Sequence, residues 1–238
     1  MSIEKVRAYF RSNPVQAVLF DLDGTLTDSA PGVFESVIHA LRSVGFADEG
    51  KLCDEAWLHQ FVGPPLDWSL RNLAGLEGET ADRALELFRE HYTGGAVFHS
   101  RLFPGMKELM EELKAAGVRL GIATGKPVDQ AMQVVEHFGL KNLVEHVQSS
   151  PLSRNEASKQ EIISAALAAM DIQDPGLAVM VGDRCFDMEG ARACGVWPVG
   201  VDSGYAAPGE LEKAGAWAIA RNAGELKPVL FACCGIEE

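Results

Sequence analysis

Six short apolar runs punctuate the chain, at residues 15–20, 118–123, 143–148, 177–181, 196–201 and 217–220. Between most of them the apolar residues recur with a helical period instead. In "PGMKELMEELKAAG", Met106, Leu109, Met110 and Leu113 share one face and Gly117 marks a stop. In "KPVDQAMQVVEHFG", Pro127 stands near the first helical position and Gly139 beyond the end. A third helix is expected over about residues 156–170, and a short helix or arm over residues 1–13. Strands alternating with helices of this length call for a parallel sheet covered on both faces, so the expected class is α/β with a doubly wound sheet.

The alternation breaks between residues 29 and 99. There "VFESVIHALRSVG", "DEAWLHQFV", "LDWSLRNLAG" and "TADRALELFREHY" all read as helix and none as a strand. An all-α domain inserted after the first strand is the simplest organisation, with residues 1–28 and 100–238 forming the core and residues 29–99 the insert. Trp57, Phe61 and Trp68 suit the core of that insert. Gly63-Pro64-Pro65 interrupts its helical pattern as a loop that could face a ligand.

The formal net charge of -13 and the lack of any basic stripe exclude a general grip on nucleic acid. The five cysteines are scattered, with no CxxC pair and no metal-ligand spacing, as in a protein of a reducing compartment. Neither a signal-type apolar segment nor a run of 18 apolar residues occurs, which points to a cytoplasmic protein that does not span a membrane.

The first run, "VQAVLF", ends in "DLDGTLTDS", placing Asp21 and Asp23 where the chain leaves the core. Open parallel sheets bind ligands at the carboxyl ends of their strands. A second such end carries Asp183 and Asp187 in "MVGDRCFDMEGA", one helical turn apart if a helix starts near Arg184. Four carboxylates converging within about 4–6 Å would raise one another's pKa unless a cation neutralised them. A hard, oxygen-preferring ion such as Mg2+ is the economical answer, and it commonly binds substrate phosphate as well. Thr124 in "GIATGKP" ends another strand, and its hydroxyl and the following N–H groups at a helix start suit an anion. Lys159, or Arg154 in a shifted register, can add a fixed positive charge. A carboxylate nucleophile, a second carboxyl, a divalent cation, a hydroxyl and a lysine together make a site for phosphoryl transfer through an aspartyl-phosphate.

"DLDGTLTDS", "GIATGK", Lys159 in "SKQE" and "GDRCFDMEGA" resemble, in order, the four motifs of the haloacid dehalogenase-like hydrolase superfamily. The helical insert resembles that superfamily's first-position cap, and its "FVGPPLDWSL" is similar to phosphoglycolate-phosphatase-like and nucleotidase-like members. The resemblance implies a Rossmann-like core. It implies Asp21 as nucleophile and metal ligand, and Asp23 as acid and base with its backbone carbonyl on the metal. Asp183 becomes the third protein ligand to Mg2+, and Asp187 orients a metal-bound water or Lys159. Thr124, Gly125 and Lys159 would hold the phosphoryl group, and in the cap Gly63 and Arg71 would contact substrate. The implied activity is Mg2+-dependent hydrolysis of a small phosphorylated metabolite, such as phosphoglycolate, a sugar phosphate or a nucleoside monophosphate.

Rivals are weighed on single residues. "GIATGKP" is no phosphate-binding P-loop, because three residues rather than four separate Gly121 from Gly125, and Pro127 stands where Ser or Thr would bind Mg2+. A dehalogenase has no need of the Asp23, Asp183 and Asp187 set. A phosphonate hydrolase would want a Schiff-base lysine in the cap, where Lys51 is the sole lysine. A sugar phosphomutase keeps both aspartates of the first motif and stays open. A non-catalytic phosphometabolite-binding module would be expected to have lost a charged motif residue. Cys185 reads as a bystander, and Asp28 and Ser29 as the exit from the first strand, with Ser29 also placed where it could touch substrate.

Overall fold

The computed structural model describes residues 3–150 and 157–237. Six parallel strands form one sheet in the order β5-β4-β1-β6-β7-β8. They are β1 (Ala17–Phe20), β4 (Arg119–Pro127), β5 (His146–Ser150), β6 (Ala178–Gly182), β7 (Trp197–Val201) and β8 (Ala218–Ala220). The chain builds outward from β1 through β4 to β5, then returns to the other side of β1 with β6. The order therefore reverses between β1 and β6, and at such a switch the loops leaving the strands diverge and open a crevice.

β1 and β6 are buried along their whole length, as central strands with helices on both faces must be. One face packs Ala17, Leu19 and Met180 on Ile162, Ile163, Ala166 and Leu167 of the helix Lys159–Ala169. Each large apolar side chain so buried contributes about 1.5–3 kcal/mol. The helix Met106–Ala115 buries Met106, Leu109, Met110 and Leu113, the face its spacing predicts. The N-terminal helix Ile3–Phe10 docks through Phe10, whose ring lies edge-on to Trp197 at 5.3 Å and to Trp217 at 5.5 Å.

Two boundaries differ from the sequence reading. β5 starts at His146, because the amide of Leu143 turns back to the carbonyl of Leu140. β5 is an edge strand, and edges tolerate the half-buried polar residues His146 and Gln148 that its apolar pattern did not anticipate. β4 runs on through Pro127, so the following helix is Val128–His137 and Thr124, Gly125 and Lys126 are extended strand rather than helix start. The alternative Arg154 and the expected helix start at Glu156 lie outside the described residues.

The chain divides into two compact units, residues 1–26 with 102–238 and residues 27–101. Within the second, the helices Ala30–Ser43 and Gly78–Thr93 bury Val37, Leu41, Ala81, Ala84, Phe88 and Tyr92. Short strands at the chain crossings, β2 (Thr27–Asp28) and β3 (Arg101–Leu102), pair as a ribbon. Asp28 Oδ2 accepts from both Nε and an NH2 nitrogen of Arg101, at 2.9 and 2.8 Å. Trp57 and Phe61 are buried in this unit, whereas Trp68 is half exposed.

Candidate active site

Asp21 is the first residue past β1, and its amide donates to the carbonyl of Val181 at 2.8 Å. That bond continues the ladder by one step and sets the Asp21 carboxylate beside the end of β6. Asp183 follows β6 directly, and Asp187 lies on the first turn of the helix Cys185–Cys194. Oxygen atoms of these three buried carboxylates lie within 4.8 Å of one another. Asp187 caps its own helix, with Oδ2 accepting from the Arg184 amide at 3.1 Å.

Two glycines make room for the cluster. Gly24 has φ +79, and a Cβ there would fall 2.2 Å from Asp183 Oδ2. A Cβ on Gly182 would fall 2.2 Å from Asp187 Cγ.

Lys159 begins its helix behind a Ser158–Glu161 capping box, which fixes the direction of its side chain. Its Nζ donates to Asp21 Oδ1 at 2.8 Å and to the Ala123 carbonyl at 3.0 Å, and pairs with Asp187 Oδ1 at 2.6 Å. The last contact is a close ion pair rather than an aligned hydrogen bond, and Asp187 Oδ1 makes no hydrogen bond among the described residues. Burial alone would pull the ammonium's pKa down, but Asp187 and Asp21 outweigh it and hold the group charged. Burial pushes Asp21 up to about 6 against the pull of Lys159, with Asp187 adding to the rise. Asp183 is raised well above the carboxylate range by burial and then by the charges of Asp187 and Asp21, although the Thr25 hydroxyl donates to its Oδ1 at 3.1 Å.

One ammonium among three carboxylates leaves the cluster short of positive charge. Its donors are all oxygen, all acidic and all buried, the set a hard divalent cation takes. Asp23 faces Asp21 and adds to the rise of its pKa, and its own carboxylate pairs with a second cation: Lys126 Nζ donates to Asp23 Oδ2 at 2.7 Å.

Thr124 is buried, and its Oγ1 accepts from the Lys126 amide at 3.2 Å. Its hydroxyl proton stays available to a ligand, although the helix N-terminus expected beside it is absent. Gly125 is exposed between them. The sequence reading missed Lys126 and Thr25. Lys126 was legible in principle, since in an extended strand residues two apart share a face and Lys126 follows Thr124 by two. In the 27–101 unit, Arg71 pairs with carboxylates of the same unit, with Nε on Asp67 at 3.0 Å and an NH2 nitrogen on Asp82 at 2.7 Å. Gly63 is exposed with φ +103, in a bend.

Glu210 braces the loop that carries Asp183. It accepts from the amides of Cys185 and Ala207 and from Arg184 Nε, each at 2.9 Å. Burial would raise its pKa, but these donors outweigh that and lower it to about 2.

A model of the haloacid dehalogenase-like hydrolases matches residues 18–201, from the middle of β1 to the end of β7. The chain belongs to this family. Among curated relatives of this haloacid dehalogenase-like hydrolase, the tyrosine-protein kinase PtkA of Mycobacterium tuberculosis is 38% identical over 199 residues, 83% of this chain and 66% of PtkA. The chain thus spans just under two thirds of that relative. A 5'-nucleotidase of Pseudomonas aeruginosa is 34% identical, covering 82% of this chain and 86% of its own. A phosphoglycolate phosphatase of Mesorhizobium japonicum is 32% identical, covering 82% and 85%. The crystal structure of a predicted phosphatase from Clostridium acetobutylicum superposes with a TM-score of 0.82 at 34% identity, over 90% of this chain and 97% of that one. No helix among the described residues is long and apolar enough to cross a membrane.

Proposed function

We propose that the chain is a Mg2+-dependent phosphatase of small phosphorylated metabolites that works through a phosphoryl group carried on Asp21. The observation that bears most of this reading is the placement of Asp21. It is buried at the strand switch, held by Lys159 at 2.8 Å and grouped with Asp183 and Asp187.

Asp21 and Asp183, with the backbone carbonyl of Asp23, would hold the cation, and Asp187 would orient a bound water or Lys159; the ion when bound supplies positive charge against the phosphate and keeps Asp21 ionised. An Asp21 oxygen attacks phosphorus as the bond to the leaving oxygen breaks. Asp23 delivers a proton to that oxygen. In the second half Asp23 takes a proton from water as the water oxygen attacks phosphorus, the Asp21–phosphorus bond breaks and inorganic phosphate leaves. Thr124, through its free hydroxyl proton, and Lys159 hold the transferring group, with the Gly125 amide beside them. The 27–101 unit serves as the cap that chooses the leaving group and excludes bulk water.

Phosphate release from a panel of phosphoglycolate, sugar phosphates and nucleoside monophosphates, with and without Mg2+, tests the reading. Turnover that needs Mg2+ and vanishes in Asp21→Asn supports it. Turnover retained by that variant sinks it. The name of the mycobacterial relative raises transfer to a tyrosine hydroxyl as a second outcome. The phosphomutase reading is a third, and scoring phosphotyrosine and isomerised sugar phosphate beside free phosphate separates all three.

A further inference from the structure

Lys126 is a lysine buried at the carboxyl ends of the strands that none of the four motif roles uses. Its side chain is 5% exposed, and its ammonium donates to Asp23 Oδ2 at 2.7 Å across 103 residues of chain. Burying an ammonium costs several kcal/mol unless it is paired. Its position is also fixed by the backbone, since its amide donates to Thr124 Oγ1.

The two oxygens of Asp23 are treated differently. Oδ2 is anchored by Lys126, whereas Oδ1 is buried and has no hydrogen-bond partner among the described residues. An orphaned buried carboxylate oxygen is costly, and such atoms occur where a ligand or a reacting group completes them. A carboxyl that handles a proton must present one oxygen to the reacting atom and hold it there, which a freely rotating side chain on a strand-end loop does not do.

We propose that Lys126 is a positioning residue. By holding Oδ2 it fixes the plane of the Asp23 carboxyl and aims Oδ1 at the leaving-group oxygen. This rests on the phosphatase reading above and adds a residue to it. Lys126 exchanges no proton in either half-reaction, and it touches neither phosphorus nor the leaving group.

Leaving-group dependence tests this. An alkyl phosphate expels a poor leaving group that needs the Asp23 proton, whereas p-nitrophenyl phosphate expels a stable phenolate that does not. In Lys126→Met, kcat/KM for the alkyl ester should fall about 100-fold or more, within the usual yield of general acid catalysis, and for p-nitrophenyl phosphate less than about 10-fold. Inhibition by inorganic phosphate should be unchanged. Lys126→Arg, which keeps a donor, should recover most of the alkyl activity. In an Asp23→Asn background, Lys126→Met should cost little more, because both changes remove one function.

Equal losses on the two esters with weaker phosphate inhibition would assign Lys126 to the phosphoryl group and overturn the proposal. Equal losses with unchanged inhibition, or no loss, would overturn it as well. Those failures leave the phosphatase reading intact. A wild-type chain that releases phosphate from neither ester ends both.

Discussion

Lys159 Nζ lies 2.8 Å from Asp21 Oδ1, and the two side chains are only 10% and 12% exposed. The pair spans two elements, since Asp21 follows a strand and Lys159 opens a helix 138 residues later. Replacing Lys159 with Met would strand the negative charges of Asp21 and Asp187 in the interior. Loss of one partner of a buried pair costs about 3–5 kcal/mol, so the metal-free variant should unfold at clearly lower urea than wild type. Mg2+ should restore more stability to the variant than to wild type, read as the shift in midpoint on adding the ion.

Asp21 gives a pH dependence of known sign. Its carboxyl holds a proton to about pH 6 in the folded chain, against an ordinary value of 3.8. The folded state therefore binds more protons than the unfolded state between those values, and stability falls as pH rises through them. Asp21→Asn has no such proton to lose. Without metal it should melt above wild type at pH 7, and the gap should close on acidification below about pH 4. Added Mg2+ should reverse the order, because the variant has lost a ligand. Thermal melts at three pH values, with chelator and with Mg2+, check both halves.

Glu210 works in the opposite direction. Its pKa is lowered to about 2 from an ordinary 4.5, so its stabilisation is fully present above pH 4.5 and fades as pH falls towards 2. Glu210→Gln should be less stable than wild type at pH 6, and the two should converge at about pH 2 and below. Urea midpoints at the two ends of that range test it. Parallel curves for the two proteins would remove Glu210 as the brace of the Arg184–Cys185 loop.

Gly182→Ala probes the cluster without deleting a charge. The added methyl would lie 2.2 Å from Asp187 Cγ, inside any permitted contact, so the carboxylate must shift. Overpacking of this kind costs about 1–3 kcal/mol. Mg2+ affinity, measured by calorimetry, should drop although every ligand remains in the chain. Unchanged affinity would show that Asp187 does not help shape the cation site.

The parts of this molecule written in local pattern were readable before any coordinates. Apolar runs closing on Asp21 and Asp183 mark strand ends, because a buried parallel strand must be apolar throughout and the charge can appear only where it exits. β5 was misplaced because an edge strand has no such requirement, so Leu143 and Val144 carried the apolar signal without carrying the strand. Lys126 escaped for a different reason. Its partner Asp23 is reached only by crossing from β4 to the end of β1, and Pro127 made a helix start look nearer than it is. Thr25 likewise owes its contact with Asp183 to adjacency of β1 and β6, which no spacing along the chain encodes.

Because Arg101 clasps Asp28, the 27–101 unit starts and finishes at one spot. Polymer statistics make the sheet nearly blind to what lies between those ends. Doubling the length of the excursion would raise its closure cost by only about 0.6 kcal/mol. The unit is thus a graft on a fixed rootstock: lineages can lengthen it, trim it or rewrite its loops while strand order and the carboxylates at the switch go on unaltered.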